Sequence, residues 1–189
     1  SADNNMTVLV GADGRRWKRD FIGPLHLSWH SSADPTGSSN SSAAFLQALS
    51  NTPTGGTLVV DGYYRVGKVG TIGATISKNI TIRGPDSGVG NVANFANSTA
   101  VLYFDTDNSD CAIFVNDVQM TLSGVCVSGV GVGVSTGTGI RTTGDNSVFV
   151  LDGGARIQSF ERGLYALTTD YTRLLNGTIT FCRTCLYAD

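Results

Sequence analysis

The C-terminal half of the chain repeats itself, and the length of the repeat limits what it can fold into. Gly139-Ile140 precedes Val150-Leu151-Asp152-Gly153, and Gly163-Leu164 precedes Leu174-Leu175-Asn176-Gly177, so both markers return after 24 residues. A neighbouring match, ARIQSFERGLYA from Ala155 against GTITFCRTCLYA from Gly177, returns after 22. An earlier copy ends at Leu122-Ser123-Gly124. Periods in the low to mid twenties fit a parallel β-helix or a leucine-rich repeat. The second needs regular leucines and an asparagine ladder, and the chain has neither. Three short strands with their turns fill the period, so the expected fold is all-β, a single-stranded parallel β-helix. Each coil leaves an unpaired backbone edge that the next coil satisfies. The expected inward stacks are Leu122 on Leu151 on Leu175, and Ile157 on Ile179. Gly, Asn and Asp at the corners supply the positive φ that sharp bends require. About five such coils fit between Thr57 and Asp189.

Composition agrees. The chain has 189 residues, enough for one domain with a sizeable core. Only 15% of residues are charged, and Glu161 is the single glutamate. Asp, Gly, Ser, Thr, Asn and Val dominate, a mix suited to turn-rich β structure. A net charge of -2 gives no polyanion-binding signal, so no nucleic-acid partner is expected. No apolar run is long enough for membrane insertion, and the first residues lack a signal sequence. Met6 stands where a native start would. Five Asn-x-Ser/Thr triplets, at Asn5, Asn40, Asn79, Asn97 and Asn176, follow from the composition by chance.

Ahead of the repeat lies one helix signal. Ala44, Phe45, Ala48 and Leu49 make an apolar stripe within Ser41 to Leu49, so a short capping α-helix is expected over about residues 41–50. Asn40 or Ser41 can cap it, without a full capping box. Pro53 and Gly55-Gly56 end it, and Thr57 to Val60 read as a buried strand. Upstream, Thr7 to Val10 read as a strand. Arg15 to Arg19 read as a strand edge with its charges in water, and Phe21 to Trp29 as an extended connector. The boundaries are therefore 1–33 (N-terminal strand and connector), 34–56 (cap loop and helix) and 57–189 (coils). Gly84 to Asn108 read as a loop excursion, and Gly124 to Gly139 as a tightly turning coil segment and not a phosphate loop. The chain stops at LYAD within a coil, so more chain or a neighbouring molecule is expected to cover that end.

The stretch DPTGSSNSSAAFLQAL followed by GGTLVV resembles the N-terminal cap segment of the pectate-lyase-like right-handed β-helix superfamily. Within it, the upstream run GRRWKRDFIGPLHLSWHSSADPTG, with Trp29 before the loop, resembles bacteriophage tailspikes and capsule depolymerases. The chain departs from that pattern at Asn40-Ser41, where the family has an acidic pair, and at Asp61-Gly62, where it has a Pro-rich turn. The resemblance implies a right-handed coil and a virion-tail protein acting at the bacterial surface. It also implies a partner polysaccharide, capsule or O-antigen, and a homo-oligomer, with a trimer favoured. Independently, outer faces rich in Ser, Thr, Val and Tyr with few charges suit self-association. The parent protein is expected to depolymerise its glycan as a hydrolase or lyase. The alternatives are a non-catalytic structural or adhesive β-helix, and a cellular pectin-type lyase or hydrolase, because this superfamily hosts both enzymes and binders.

Glycoside cleavage commonly uses two carboxyl groups roughly 5 to 9.5 Å apart. On a β-helix these would face outward from adjacent coils. Asp152 and Glu161 are the best available catalytic pair, with Asp170 third. Against them stand two plainer readings: Asp152 as a corner residue matched by Asn176, and Glu161 as a solvated partner of Arg162. Arg141, Arg156, Arg162, Arg173 and Arg183 could each serve a lyase, and nothing selects one. Tyr63, Tyr64, Tyr103, Tyr165, Tyr171 and Tyr187 could stack on sugars or simply pack at strand edges. No cofactor is expected. No metal is expected at His26 and His30, which share no ligand motif, or at Cys182-x-x-Cys185, which lacks a second pair. Cys111, Cys126, Cys182 and Cys185 read as interior structural thiols.

Overall fold

The computed structural model describes residues 6–19, 23–67, 71–85, 100–104, 110–134, 137–167 and 171–188. An antiparallel hairpin comes first, β1 (Val8–Val10) with β2 (Arg16–Lys18), and β2 is exposed along its length. That is the water-facing basic edge expected. Within the connector, β3 (Leu25–His26) and a 3-10 turn (Leu27–Trp29) are more ordered than an extended link. Leu25 pairs in parallel with Leu58, so the connector already forms part of the stack.

The helix α1 (Ser42–Asn51) buries Ala44, Phe45, Ala48 and Leu49, the four stripe residues. Its first turn is held from Asn40, whose Oδ1 accepts from the Ser42 N–H at 2.8 Å. The Ser41 hydroxyl instead accepts from the Asp34 N–H at 3.0 Å, tying the polar loop to the helix start. Gly55, at φ 75°, makes the turn into the coils. Phe45 belongs to one continuous core with Leu58 and Tyr64, so the helix closes the N-terminal end of that core.

Among the described residues five coils follow, each of three strands. The first is β4 (Gly56–Val59), β5 (Tyr63–Val66) and β6 (Ile72–Ile76). The second is β7 (Ile80–Arg83), β8 (Val101–Phe104) and β9 (Cys111–Asn116). The third is β10 (Gln119–Ser123), β11 (Cys126–Ser128) and β12 (Thr138–Thr143). The fourth is β13 (Val148–Asp152), β14 (Arg156–Gln158) and β15 (Arg162–Ala166). The fifth is β16 (Tyr171–Leu174), β17 (Thr178–Thr180) and β18 (Thr184–Ala188). Corresponding strands pair in parallel into three sheets. The first face runs β3-β4-β7-β10-β13-β16, the second β5-β8-β11-β14-β17, and the third β6-β9-β12-β15-β18. The chain is a parallel β-helix. Among the described residues no helix is long and apolar enough to cross a membrane.

Register shows the core as columns. Leu58, Ile82, Leu122 and Leu151 stack on the first sheet, all fully buried. Tyr64, Leu102, Val127, Ile157 and Ile179 stack on the second. Ala74, Ile113, Ile140, Leu164 and Leu186 stack on the third. The Ile157–Ile179 stack is as expected. The Leu stack is corrected at its end, because Leu174 and not Leu175 lies over Leu151. From Leu151 to Ile157 is six residues, while from Leu174 to Ile179 is five. The last corner is one residue shorter, and its glycine sits later: Gly153 follows Leu151 by two residues but Gly177 follows Leu174 by three, so a 24-residue offset taken from the glycines overshoots the strand by one.

Corner chemistry is broader than expected. Gly124, Gly153 and Gly154 take positive φ, as does Asp117 at 55°. Ser159 (65°) and Phe181 (51°) also do, one above the other just past β14 and β17. A bulky residue in that region is locally strained, and here the Ser159 N–H donates to the Phe181 carbonyl at 3.2 Å.

Of the loop read over Gly84 to Asn108, residues 86–99 and 105–108 lie outside the described residues; Val101–Phe104 within it forms β8.

Candidate functional site

The third face carries the densest outward chemistry among the described residues. Next to its buried column runs a second one, in register: Phe114, Arg141, Tyr165 and Tyr187. The rings of Tyr165 and Tyr187 meet edge to face, with centroids 4.9 Å apart. The Arg141 guanidinium lies 4.5 Å over the Phe114 ring. Arg162, at the start of β15, lies over both Tyr165 (5.5 Å) and Tyr187 (5.2 Å). Parallel pairing spaces successive side chains about 4.8 Å apart. Contiguous aromatic and guanidinium groups therefore line the outside of several coils. Rings of this kind stack on the apolar faces of sugars, and guanidinium groups donate to oxygens.

Beside this column, the corner entering the third face forms another: Asp110, Gly137, Glu161 and Arg183. The Thr138 N–H donates to the Asp110 carbonyl, that of Arg162 to the Gly137 carbonyl, and that of Thr184 to the Glu161 carbonyl. The two carboxylates in it point to different guanidinium partners. Asp110 is ion-paired with Arg141 in the next coil. Glu161 is paired with Arg183 at 3.1 Å. Asp110 and Glu161 stand two coil spacings apart, about 9.6 Å at the backbone. Both are committed to guanidinium contacts.

Asp152 lies elsewhere. It ends β13 on the first face, in register with Ser123, just before the Gly153-Gly154 corner. Its carbonyl accepts from the N–H groups of Gly124 and Ala155, so it is built into the bend. Glu161 belongs to the same coil but sits at the edge of the third face, with all of β14 between them. The partner expected for Glu161, Arg162, turns to the tyrosine rings, and Arg183 takes its place. Asp170 lies outside the described residues.

The remaining candidates are dispersed. Arg156 is on the second face, where its Nε is buried without a hydrogen-bond partner among the described residues, and Arg173 lies 5.8 Å over Tyr171 on the first. Tyr64 is fully buried, and Tyr63 pairs with Tyr103 at 6.0 Å on the second face. Cys111 and Cys126 are buried thiols, each pushed up to about 12 by burial. Cys182 is half-buried, but Cys185 is exposed, which corrects the interior reading for that residue.

Asp61 is a polar centre that sequence reasoning missed. It accepts from the Ser28 hydroxyl at 2.6 Å, the Ser28 N–H at 3.2 Å and the Tyr64 hydroxyl at 2.8 Å, and it bonds His26 Nδ1 at 3.0 Å. Burial alone would raise its carboxyl, yet the bonds from Ser28, Tyr64 and His26 outweigh it and hold the group below its ordinary value. Burial, and then the Asp61 contact, push the Tyr64 hydroxyl far up. His26 stacks on Trp29 at 4.9 Å, and Arg19 covers Trp29 at 4.5 Å. Asp61 has its oxygens taken up by the chain itself, so this network locks the connector to the first coil. Among the described residues no three His, Cys, Asp or Glu side chains converge as a metal site needs. Comparison with protein-family models, with curated proteins and with solved structures finds no match for this chain.

Proposed function

We propose that the third face is a polysaccharide-binding platform, and that the chain is part of a bacteriophage tailspike gripping a bacterial capsule or O-antigen. The observation that carries the binding reading is the outward column of Phe114, Arg141, Tyr165 and Tyr187, backed by Arg162. The tailspike assignment, with its place on the virion tail, rests on the resemblance of the Asp34 to Val60 segment. Holding is favoured over cutting for these residues. Cleavage needs carboxyl groups directed at the substrate, whereas Asp110 and Glu161 each face a guanidinium. Depolymerisation then belongs to the full-length protein.

The test is a panel of capsular and O-antigen polysaccharides presented to the chain and to a Tyr165→Ala, Tyr187→Ala double variant. The expected result is binding to a subset of the panel, weakened at least about tenfold in the double variant, as loss of two stacking rings implies. Unchanged binding by the double variant removes the third face from consideration. New reducing ends or unsaturated sugars during incubation would show that the chain itself cuts.

A further inference from the structure

The guanidinium groups on the third face are not equivalent. Arg141 meets Asp110, and Arg183 meets Glu161. Among the described residues, the Arg162 guanidinium meets the rings of Tyr165 and Tyr187 and no carboxylate. It is exposed, at the first position of β15. Its in-register neighbours along the stack are Thr138 and Thr184, both short hydroxyl residues. The backbone step beside it is Gly137, which adds no side chain.

We propose that Arg162 is an anion-recognition point and that the glycan taken by this face is acidic, carrying sugar carboxylates. The inference rests on the polysaccharide reading above and narrows it. A guanidinium lying on aromatic rings is held in orientation, so little side-chain freedom remains to be lost on binding. Its N–H donors form the planar fork that matches a carboxylate bidentately. A neutral sugar gains only ordinary hydrogen bonds from this cation, whereas a carboxylate gains a charge-assisted, bidentate pair. One carboxylate per repeating unit supplies that charge, while the pyranose ring it belongs to stacks on the adjacent tyrosine. Of its in-register neighbours Thr138 is buried, and Thr184 is the half-buried one that sets a hydroxyl beside the position. Arg162 is a binding residue in this scheme and takes part in no bond-making step.

The experiment compares carboxylated polymers (polygalacturonate, alginate, hyaluronate and polysialate) with the same polymers after carboxyl reduction. Binding is measured for the parent chain, Arg162→Gln and Arg162→Lys. The expected result is that at least one carboxylated polymer binds and its reduced form binds about 10- to 100-fold more weakly, the range for losing charge-assisted hydrogen bonds. Arg162→Gln should show the same loss toward the carboxylated form and none toward the reduced form. Arg162→Lys should fall between, because it keeps the charge and loses the fork. Arg162 is exposed, so both variants should melt with the parent, which checks that folding is intact. Equal binding of carboxylated and reduced polymers, absence of binding to every carboxylated polymer, or indifference to Arg162→Gln overturns the inference. The polysaccharide reading itself fails on a different result, namely indifference of all glycan binding to the Tyr165→Ala, Tyr187→Ala variant.

Discussion

Asp34 shows how much of this fold depends on single polar side chains. Its carboxylate accepts from the Thr36 N–H at 2.9 Å, the Thr36 hydroxyl at 2.6 Å and the Ser39 N–H at 2.6 Å. The side-chain bond from Thr36, then the backbone bonds of Thr36 and Ser39, pull the group down to about 2. A carboxylate depressed in the folded state adds stability that is fully present above its unfolded value, about 3.9, and lost as pH falls through about 2. An NMR titration should therefore find an Asp34 midpoint near 2, and a midpoint near 3.8 would mean that the loop turn does not form in solution. The same residue scale shows why the site was only partly legible. Residue types are visible in a sequence, whereas ion-pair partners are not. Glu161 pairs with Arg183 exactly one repeat away, so that pair could have been found from the 22-residue match. Asp110 and Arg141 are 31 residues apart, across a stretch where the period is not regular, and no local pattern links them. The aromatic column was within reach, since Arg141, Tyr165 and Tyr187 are separated by the same 24 and 22 residues as the repeat.

At the scale of elements, the helix and the coils were legible because each obeys one period. The α1 stripe is a period of 3.6, and its four apolar residues are the four that the structure buries. The coils obey a looser period set by corner lengths, and this is where the inward register slips by one at Leu174. The consequence is measurable. Leu151 is fully buried between Leu122 and the last coil, and Leu151→Ala should cost about 2–5 kcal/mol, as large-to-small core changes do. Leu175 is 66% exposed, and Leu175→Ala should stay within about 0.5 kcal/mol of the parent. Denaturant melts of the two variants check both, and a Leu175→Ala loss as large as that of Leu151→Ala would restore the 24-residue register. The ordered connector was not legible for a different reason. Leu25 and His26 form a two-residue strand, and its pairing with Leu58 and Val59 is a long-range contact that no local propensity announces.

For the molecule as a whole, the first and third outer faces differ in character. The third bears guanidinium groups and rings. The first presents Thr57, Thr81, Thr121 and Val150 in register, small and uncharged over four coils, and then Arg173 in the last. The four small residues cost little to desolvate, so if the proposed homo-oligomer forms, these four coils of the first face are where copies would pack around a closed axis. Light scattering over a hundredfold dilution should give a mass about three times 19.8 kDa at the upper concentrations. A constant 19.8 kDa throughout would rule the trimer out. The stacking itself has a mechanical consequence. Each coil is bonded only to the coils above and below it, so tension applied to the C-terminal end loads one coil's hydrogen bonds at a time. The coils then peel off in sequence, like turns from a spool. The last interval, the 22 residues from Ile157 to Ile179, would release about 75 Å of extended chain. A rod built this way yields gradually under load and keeps its remaining coils folded.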